Sequence, residues 1–194
     1  MAEQAENVPY KLVEIEGKGR GLVAAKDLEV GDLVFEEKAF LKLPSKAELS
    51  FYKTELSRLE PDIQAKLMNL SYAENANLNN LDESAILLKK FNSNCFEVED
   101  NNALVQEAAV FEMLSMINHS CKSNVMYFSE KADRTKIEVR VCRRIKKGEE
   151  IVLSYISLSG FPLQQQRREK LRNWGFECRS AYLRISQTFS FVKV

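Results

Sequence analysis

The sequence predicts a mainly β domain carrying a helical insert, an α+β class. Two observations lead there. The flanking thirds are short apolar runs separated by glycine turns, and residues 45–91 change to a spacing of three or four between apolar side chains. In order, KLVEIEG and GLVAAKDL read as strands around the turn-forming Gly17-Lys18-Gly19-Arg20-Gly21. A turn at Val30-Gly31-Asp32 leads into LVFEEKAFLKL, read as one strand, and Pro44 marks its boundary. Leu49, Tyr52, Leu56 and Leu59 then recur with helical period, Pro61 breaks the run, and Ile63, Leu67 and Leu70 resume it. Asn77–Asp82 reads as a loop and Glu83–Phe91 as a further short helix.

Strand texture returns at Asn94–Val98, followed by a turn at Glu99–Asn102. VMYFSE and KIEVRVCRRI read as two strands joined at Lys131–Thr135. Lys147-Gly148 turns the chain into EEIVLSYI, and Pro162–Asn173 is a polar helix running into Trp174. No internal repeat or low-complexity segment interrupts this order.

Composition narrows the classes. The 194 residues suffice for one well-buried core. Lys plus Arg and Asp plus Glu each number 28, so no global field draws the chain to nucleic acid or anionic lipid. The basic clusters Arg140, Arg143, Arg144, Lys146, Lys147 and Arg167, Arg168, Lys170, Arg172 read first as solvated faces, with a surface that docks an acidic peptide or nucleic acid as the alternative. No apolar run approaches the ~18 residues of a membrane span. MAEQAENVPY lacks the basic and apolar regions of a secretory signal, so cytoplasm or nucleus is the expected address. Cys95, Cys121, Cys142 and Cys178 contain no C-x-x-C pair and read as free thiols.

Three features carry chemistry. Three glycines in Gly17–Gly21 suit a tight hairpin or a loop whose backbone approaches a ligand. Asn118-His119-Ser120-Cys121 holds the only histidine in the chain. A structural role, a Cys–His nucleophile pair and a metal ligand are its readings. Residues i and i+2 do not meet on a helix, no orienting acid is evident, and no second histidine helps to build a metal site. Tyr155, at the end of Gly148-Glu149-Glu150-Ile151-Val152-Leu153-Ser154-Tyr155, suits a half-buried packing role.

Taken in order, a glycine-rich loop, N-H-S-C and then G-E-E-I-x-x-x-Y about thirty residues later resemble the SET-domain protein lysine methyltransferases, nearest the SET-and-MYND branch. Lys18-Gly19-Arg20-Gly21-Leu22, Val30-Gly31-Asp32, Asn94-Cys95-Phe96, Arg167-Arg168 and Phe176-Glu177-Cys178 extend the match. The resemblance implies a β-clip fold with a pseudoknot around Asn118–Cys121. It divides the chain into a SET domain at 9–156, a post-SET-like segment at 162–180 and a tail of unassigned role at 181–194. It also implies transfer of a methyl group from S-adenosylmethionine to a lysine of a protein substrate, with no nucleic-acid or membrane partner. The alternative is a catalytically inactive interaction module of the same fold.

By the same resemblance, Tyr155 is the catalytic tyrosine, and Lys18, Gly19, Arg20 and Gly21 lie along the methionine part of the cofactor. Asn118 and His119 hold its adenine and ribose, Asn94 and Ser115 make further contacts, and Trp174 stacks beside the adenine. Phe176 joins Tyr155 at the target-lysine channel. Two departures stand out. The region just after Phe40, where the SET-and-MYND branch inserts a cysteine-rich zinc module, contains no cysteine. Of the four post-SET zinc ligands, Cys121 and Cys178 remain, while the other two positions are Ser180 and Leu183, so no bound metal is expected.

Overall fold

Glycine punctuation and short alternating runs fold into ten strands and four helices among the described residues. A computed structural model describes residues 8–72, 82–98, 106–130, 133–158 and 163–178. Strands β1 (Tyr10–Ile15) and β2 (Gly19–Ala24) form an antiparallel hairpin in which Ile15 faces Gly19. Gly17 and Gly19 take φ of 71° and 72°, the left-handed region that a tight turn requires and a Cβ disfavours.

The segment LVFEEKAFLKL is two strands, not one. β3 (Leu33–Lys38) and β4 (Leu41–Pro44) join different sheets, and Ala39 and Phe40 make the corner between them. That two-residue connection lies where the SET-and-MYND branch carries its zinc module.

The insert begins with α1 (Leu49–Ser57) and α2 (Pro61–Asn69), separated where Pro61 occupies the first turn of the second helix. α3 (Glu83–Asn94) starts at Asp82, whose carboxylate accepts from the Ala85 N–H at 2.7 Å. Leu87, Lys90, Phe91 and Asn94 form its buried face at helical spacing. Tyr52 of α1 packs its ring 5.7 Å from Phe91, and its hydroxyl donates to the Pro44 carbonyl. Asn94 ends this helix instead of opening the next strand. Its Nδ2 donates to the Lys90 and Ser71 carbonyls, both at 2.7 Å, which draws it back onto the helix.

The remaining strands are β5 (Cys95–Val98), β6 (Glu107–Val110), β7 (Asn118–His119), β8 (Val125–Ser129), β9 (Lys136–Val141) and β10 (Glu150–Leu153). β6 has no counterpart among the strands read from the sequence. The loop expected at Asn77–Asp82 and the turn at Glu99–Asn102 lie outside the described residues except for Asp82, whereas the described part of Lys131–Thr135 is a turn in which the Lys136 N–H donates to the Asp133 carbonyl at 2.9 Å. The polar helix is shorter than its sequence span: α4 (Gln164–Leu171) continues as one tighter turn at Arg172–Trp174.

Three small sheets result, ordered β1-β2-β10-β7, β3-β9-β8 and β4-β6-β5. β9 shows the expected period of two, burying Ile137, Val139 and Val141 between polar neighbours. Their side chains join Leu22, Phe91, Phe111, Leu114, Ile117 and Ile151 in one core, so the helical insert and the sheets share it. An isolated bridge between Leu28 and Ile145 ties the N-terminal strands to the turn before β10.

Gly21 matters for space and not for φ. A Cβ there would stand 2.5 Å from Asn118 Nδ2 and 2.5 Å from Ile15 Cδ1. Gly21→Ala is expected to lower unfolding free energy by about 1–3 kcal/mol. Ile15→Val removes one of the two obstructing atoms, so the double variant should recover part of that loss in urea denaturation.

Candidate functional site

The elements around β10 enclose a cleft of about 1320 Å³. It is lined by Lys18, Gly19, Arg20, Asn94, Ser115, Asn118, His119, Tyr155, Trp174 and Phe176, residues drawn from six parts of the chain. Of the residues singled out in the sequence, Gly21 alone does not line it. Its role is to leave room for the Asn118 amide, which faces the cleft in its place.

β10 owes its position to three partners. It pairs antiparallel with β2, through Glu150 with Val23 and Ile151 with Leu22, and parallel with β7, through Val152 with Asn118 and Leu153 with His119. Beyond β7 the fully buried Asn124 continues the ladder with its side chain. Asn124 Oδ1 accepts from the Val152 N–H and Nδ2 donates to the Glu150 carbonyl, each at 2.8 Å. Glu37 fixes the approach to β7. Its carboxylate accepts from the N–H groups of Met113 and Leu114 at 2.9 and 3.0 Å, capping the tight turn Leu114–Met116 that carries Ser115. Burial pushes the Glu37 carboxyl pKa up despite these donors.

His119 is buried and makes two ring contacts. Nδ1 accepts from the Tyr155 N–H at 3.0 Å, and Nε2 stands 3.2 Å from Cys121 Sγ. The backbone amide can only donate, so Nδ1 holds a lone pair and the neutral ring carries its proton on Nε2. Burial, with Lys18 and Arg167 adding positive charge nearby, pulls its pKa down to about 4 and keeps the ring neutral. The i, i+2 objection to a Cys121–His119 contact does not hold here, because the segment is extended and such residues share a face. The contact is still no nucleophile pair. A protonated Nε2 cannot take the thiol's proton, and burial together with Cys178 raises the Cys121 pKa.

Tyr155 follows β10, with its hydroxyl donating to the Ile117 carbonyl at 2.7 Å. Burial, with the Glu150 carboxylate second, raises the phenol pKa far above its usual value. The hydroxyl therefore stays protonated, its hydrogen is committed, and its oxygen lone pairs remain as acceptors. Three rings surround it: His119 at 5.2 Å, Trp174 at 5.5 Å and Phe176 at 6.3 Å. Trp174 is anchored by its indole N–H donating to the Ser93 carbonyl at 3.0 Å.

Several further cleft residues escaped the sequence reading of the site, among them Ser93, Tyr72, Asn124 and Glu150. Ser93 and Tyr72 are helix-end and loop positions with no motif around them. Asn124 is a lone asparagine, and Glu150 lay inside the G-E-E-I-x-x-x-Y run without a role of its own. Arg20, expected along a ligand, also reaches across to Asn69, with Nη1 3.3 Å from Oδ1 and Nη2 on its carbonyl.

His119 Nε2, Cys121 Sγ and Cys178 Sγ lie within 4.8 Å of one another, and the two sulfurs are 3.6 Å apart. This is where the family resemblance places a post-SET zinc ion. The donor set does not fit one. The Tyr155 amide holds the His119 lone pair on Nδ1, so Nε2 offers a hydrogen instead of a ligand atom. Two thiols remain among the described residues, against the four ligands of a structural zinc site.

The cleft thus brings together a strand at the junction of its sheet, a histidine-anchored segment and a tyrosine hydroxyl committed as a donor. The chain belongs to the SET-domain family, whose profile, described as SET domain, matches residues 19–156. It is 27% identical over 171 residues to the protein named histone-lysine N-methyltransferase set5 of Schizosaccharomyces pombe, a match covering 87% of this chain and 48% of that one. It is 31% identical to human N-lysine methyltransferase SMYD2 and 35% identical to histone-lysine N-methyltransferase ASHR1 of Arabidopsis thaliana. Each of those two matches covers 62% of this chain and 26% of the relative. The chain thus spans less than half the length of these relatives.

The single histidine gives a pH test. Its folded pKa is depressed below the ordinary 6.5, so the unfolded chain binds the proton first as pH falls. Its stabilising contribution is full above pH 6.5 and is lost progressively down to about 4. The loss should reach about 3 kcal/mol. Urea denaturation from pH 7 to 5 should show stability falling in the wild type and a flatter profile in His119→Gln.

Proposed function

We propose that this domain binds S-adenosylmethionine in the cleft and methylates a lysine side chain of another protein. The observation that carries the reading is Tyr155: a phenol held protonated, with its hydrogen bonded to Ile117 and its oxygen turned to acceptor duty among three rings. Methyl transfer to an amine needs positioning and an acceptor more than it needs a strong base. The named activities of the relatives agree with this.

In this reading, residues 9–156 form the SET domain, with Asn118–Cys121 as its threaded segment, and residues 162–180 are the post-SET-like segment, whose described part brings Trp174 and Phe176 to the cleft. The tail at 181–194 lies outside the described residues. Lys18, Gly19, Arg20, Asn94, Ser115, Asn118, His119 and Trp174 hold the cofactor. When bound, it supplies an electrophilic methyl on a sulfonium. Tyr155 and Phe176 flank the path of the incoming lysine. The apolar ring surfaces disfavour its ammonium form and so promote the neutral amine that attacks. The Tyr155 oxygen accepts an amine N–H and aligns the nitrogen lone pair with the methyl group. The work is done by orientation and desolvation, and no acid–base dyad is needed. Cytoplasm or nucleus is the compartment this reading carries. No helix among the described residues is long and apolar enough to cross a membrane.

Calorimetric titration with S-adenosylmethionine should give saturable binding that Asn118→Ala abolishes or sharply weakens. With a peptide or protein substrate found by radiolabel transfer, Tyr155→Phe should lower the turnover rate on the order of 10²-fold while cofactor affinity changes little. No binding by a folded wild-type chain would overturn the reading in favour of an inactive interaction module.

A further inference from the structure

Glu150 stands at the glycine-loop end of the cleft with both carboxylate oxygens in use. Oε2 is 2.5 Å from Lys18 Nζ, and Oε1 accepts from Asn118 Nδ2 at 3.1 Å. Asn118 Nδ2 also donates to the Arg20 carbonyl at 3.2 Å, which spends its two hydrogens and fixes the amide's orientation. Among the described residues none donates to Asn118 Oδ1. Glu149, next in the chain, is committed to the turn, where it accepts from the Lys146 N–H and pairs with Arg143. One end of the cleft therefore offers a carboxylate, an oriented amide and a lysine ammonium within one cluster. The carboxylate and the amide oxygen accept, and the ammonium donates.

That arrangement complements a zwitterion. We propose that Glu150 is the specificity-determining residue for the amino-acid end of the cofactor: its carboxylate receives the ligand's α-ammonium while Lys18 turns to the ligand's α-carboxylate. The inference rests on the S-adenosylmethionine reading above. Lys18 and Glu150 satisfy each other, and ligand binding would exchange this one ion pair for two. The half-exposed Lys18 is free to swing, and Glu150, more buried on β10, is the fixed member. The exchange keeps the cleft end charge-balanced in both states, so neither ion is left buried without a partner.

The test uses S-adenosylhomocysteine, which has the amino-acid end and no sulfonium charge, and its deaminated analogue, which lacks only the α-ammonium. Wild type should bind the first at least about tenfold more tightly, the size of one charge-assisted hydrogen bond. In Glu150→Gln that preference should fall to within about twofold, with affinity for the deaminated analogue nearly unchanged and the melting temperature confirming a folded chain. Lys18→Met should weaken both ligands together and keep the preference. A preference that survives in Glu150→Gln, or an equal loss for both ligands, would overturn the assignment and leave Glu150 a structural partner of Asn118. Failure of the wild type to bind either ligand would overturn the cofactor reading itself, which distinguishes the two failures.

Discussion

Everything in the cleft hangs on how the backbone of β10 is satisfied. A strand in the middle of a domain must find partners for its N–H and C=O groups on both sides, because an unpaired one costs about as much as a lost hydrogen bond. β10 meets this with β2 on one side and the two-residue β7 on the other. β7 is too short to finish the ladder, and the side chain of Asn124 completes it at both ends of Ile151. That solution has a geometric consequence. Asn118 and His119 are drawn beside Val152 and Leu153, so the ligating end of one loop and the tyrosine after β10 cannot move independently. The His119 ring then accepts the first free amide beyond the strand, that of Tyr155, and so extends the pairing by one more residue.

This chain of hydrogen bonds also fixes protonation states. A histidine whose Nδ1 must accept, in a buried place beside Lys18 and Arg167, is neutral at physiological pH. A phenol that is buried, faces a carboxylate and donates to a carbonyl is protonated. Neither group is set up as a base at neutral pH. Lys18 and Glu150, whose charges bear on the His119 ring and the Tyr155 phenol respectively, neutralise each other within the same cleft.

Much of this was legible in the sequence, and the failures have physical causes. KIEVRV announces a half-buried strand through its alternation, and the reading places the starts of β1, β2 and β10 within a residue or two but runs past the ends of β2 and β10. β6 escaped because EAAV carries small residues whose burial comes from being sandwiched between β4 and β5, a tertiary effect. β3 and β4 were read as one strand because KAFLKL continues the apolar texture through a corner that only the sheet topology reveals. The site residues recognised by motif order converge on one cleft. Glu150 and Asn124 did not stand out, because an acidic residue after a glycine turn and a lone asparagine are commonplace in sequence. What makes them matter is the register that places Glu150 opposite Val23 and Asn124 against the edge of β10. The His119–Cys121 contact was dismissed on helical geometry, and one incorrect local assumption was enough to hide it.

The thiol pair bears on how the aromatic wall is held. Cys178 packs against Cys121 and Leu171, and the short segment from α4 carries Trp174 and Phe176 onto the cleft. A structural zinc ion ties such a segment down with an apparent 10–16 kcal/mol. Here the described contacts include the buried Leu171 and Cys178, three ring contacts of Trp174 and Phe176, the indole hydrogen bond and the Arg168–Glu177 ion pair. The wall that contributes Trp174 and Phe176 thus meets the rest of the cleft through side-chain contacts, whereas Asn118 and His119 belong to the backbone ladder of β7 and β10. In the proposed reading, rings that stack on a bound nucleoside would gain contacts there, so ligand binding would stabilise the wall without the metal ligation that the donor set does not fit.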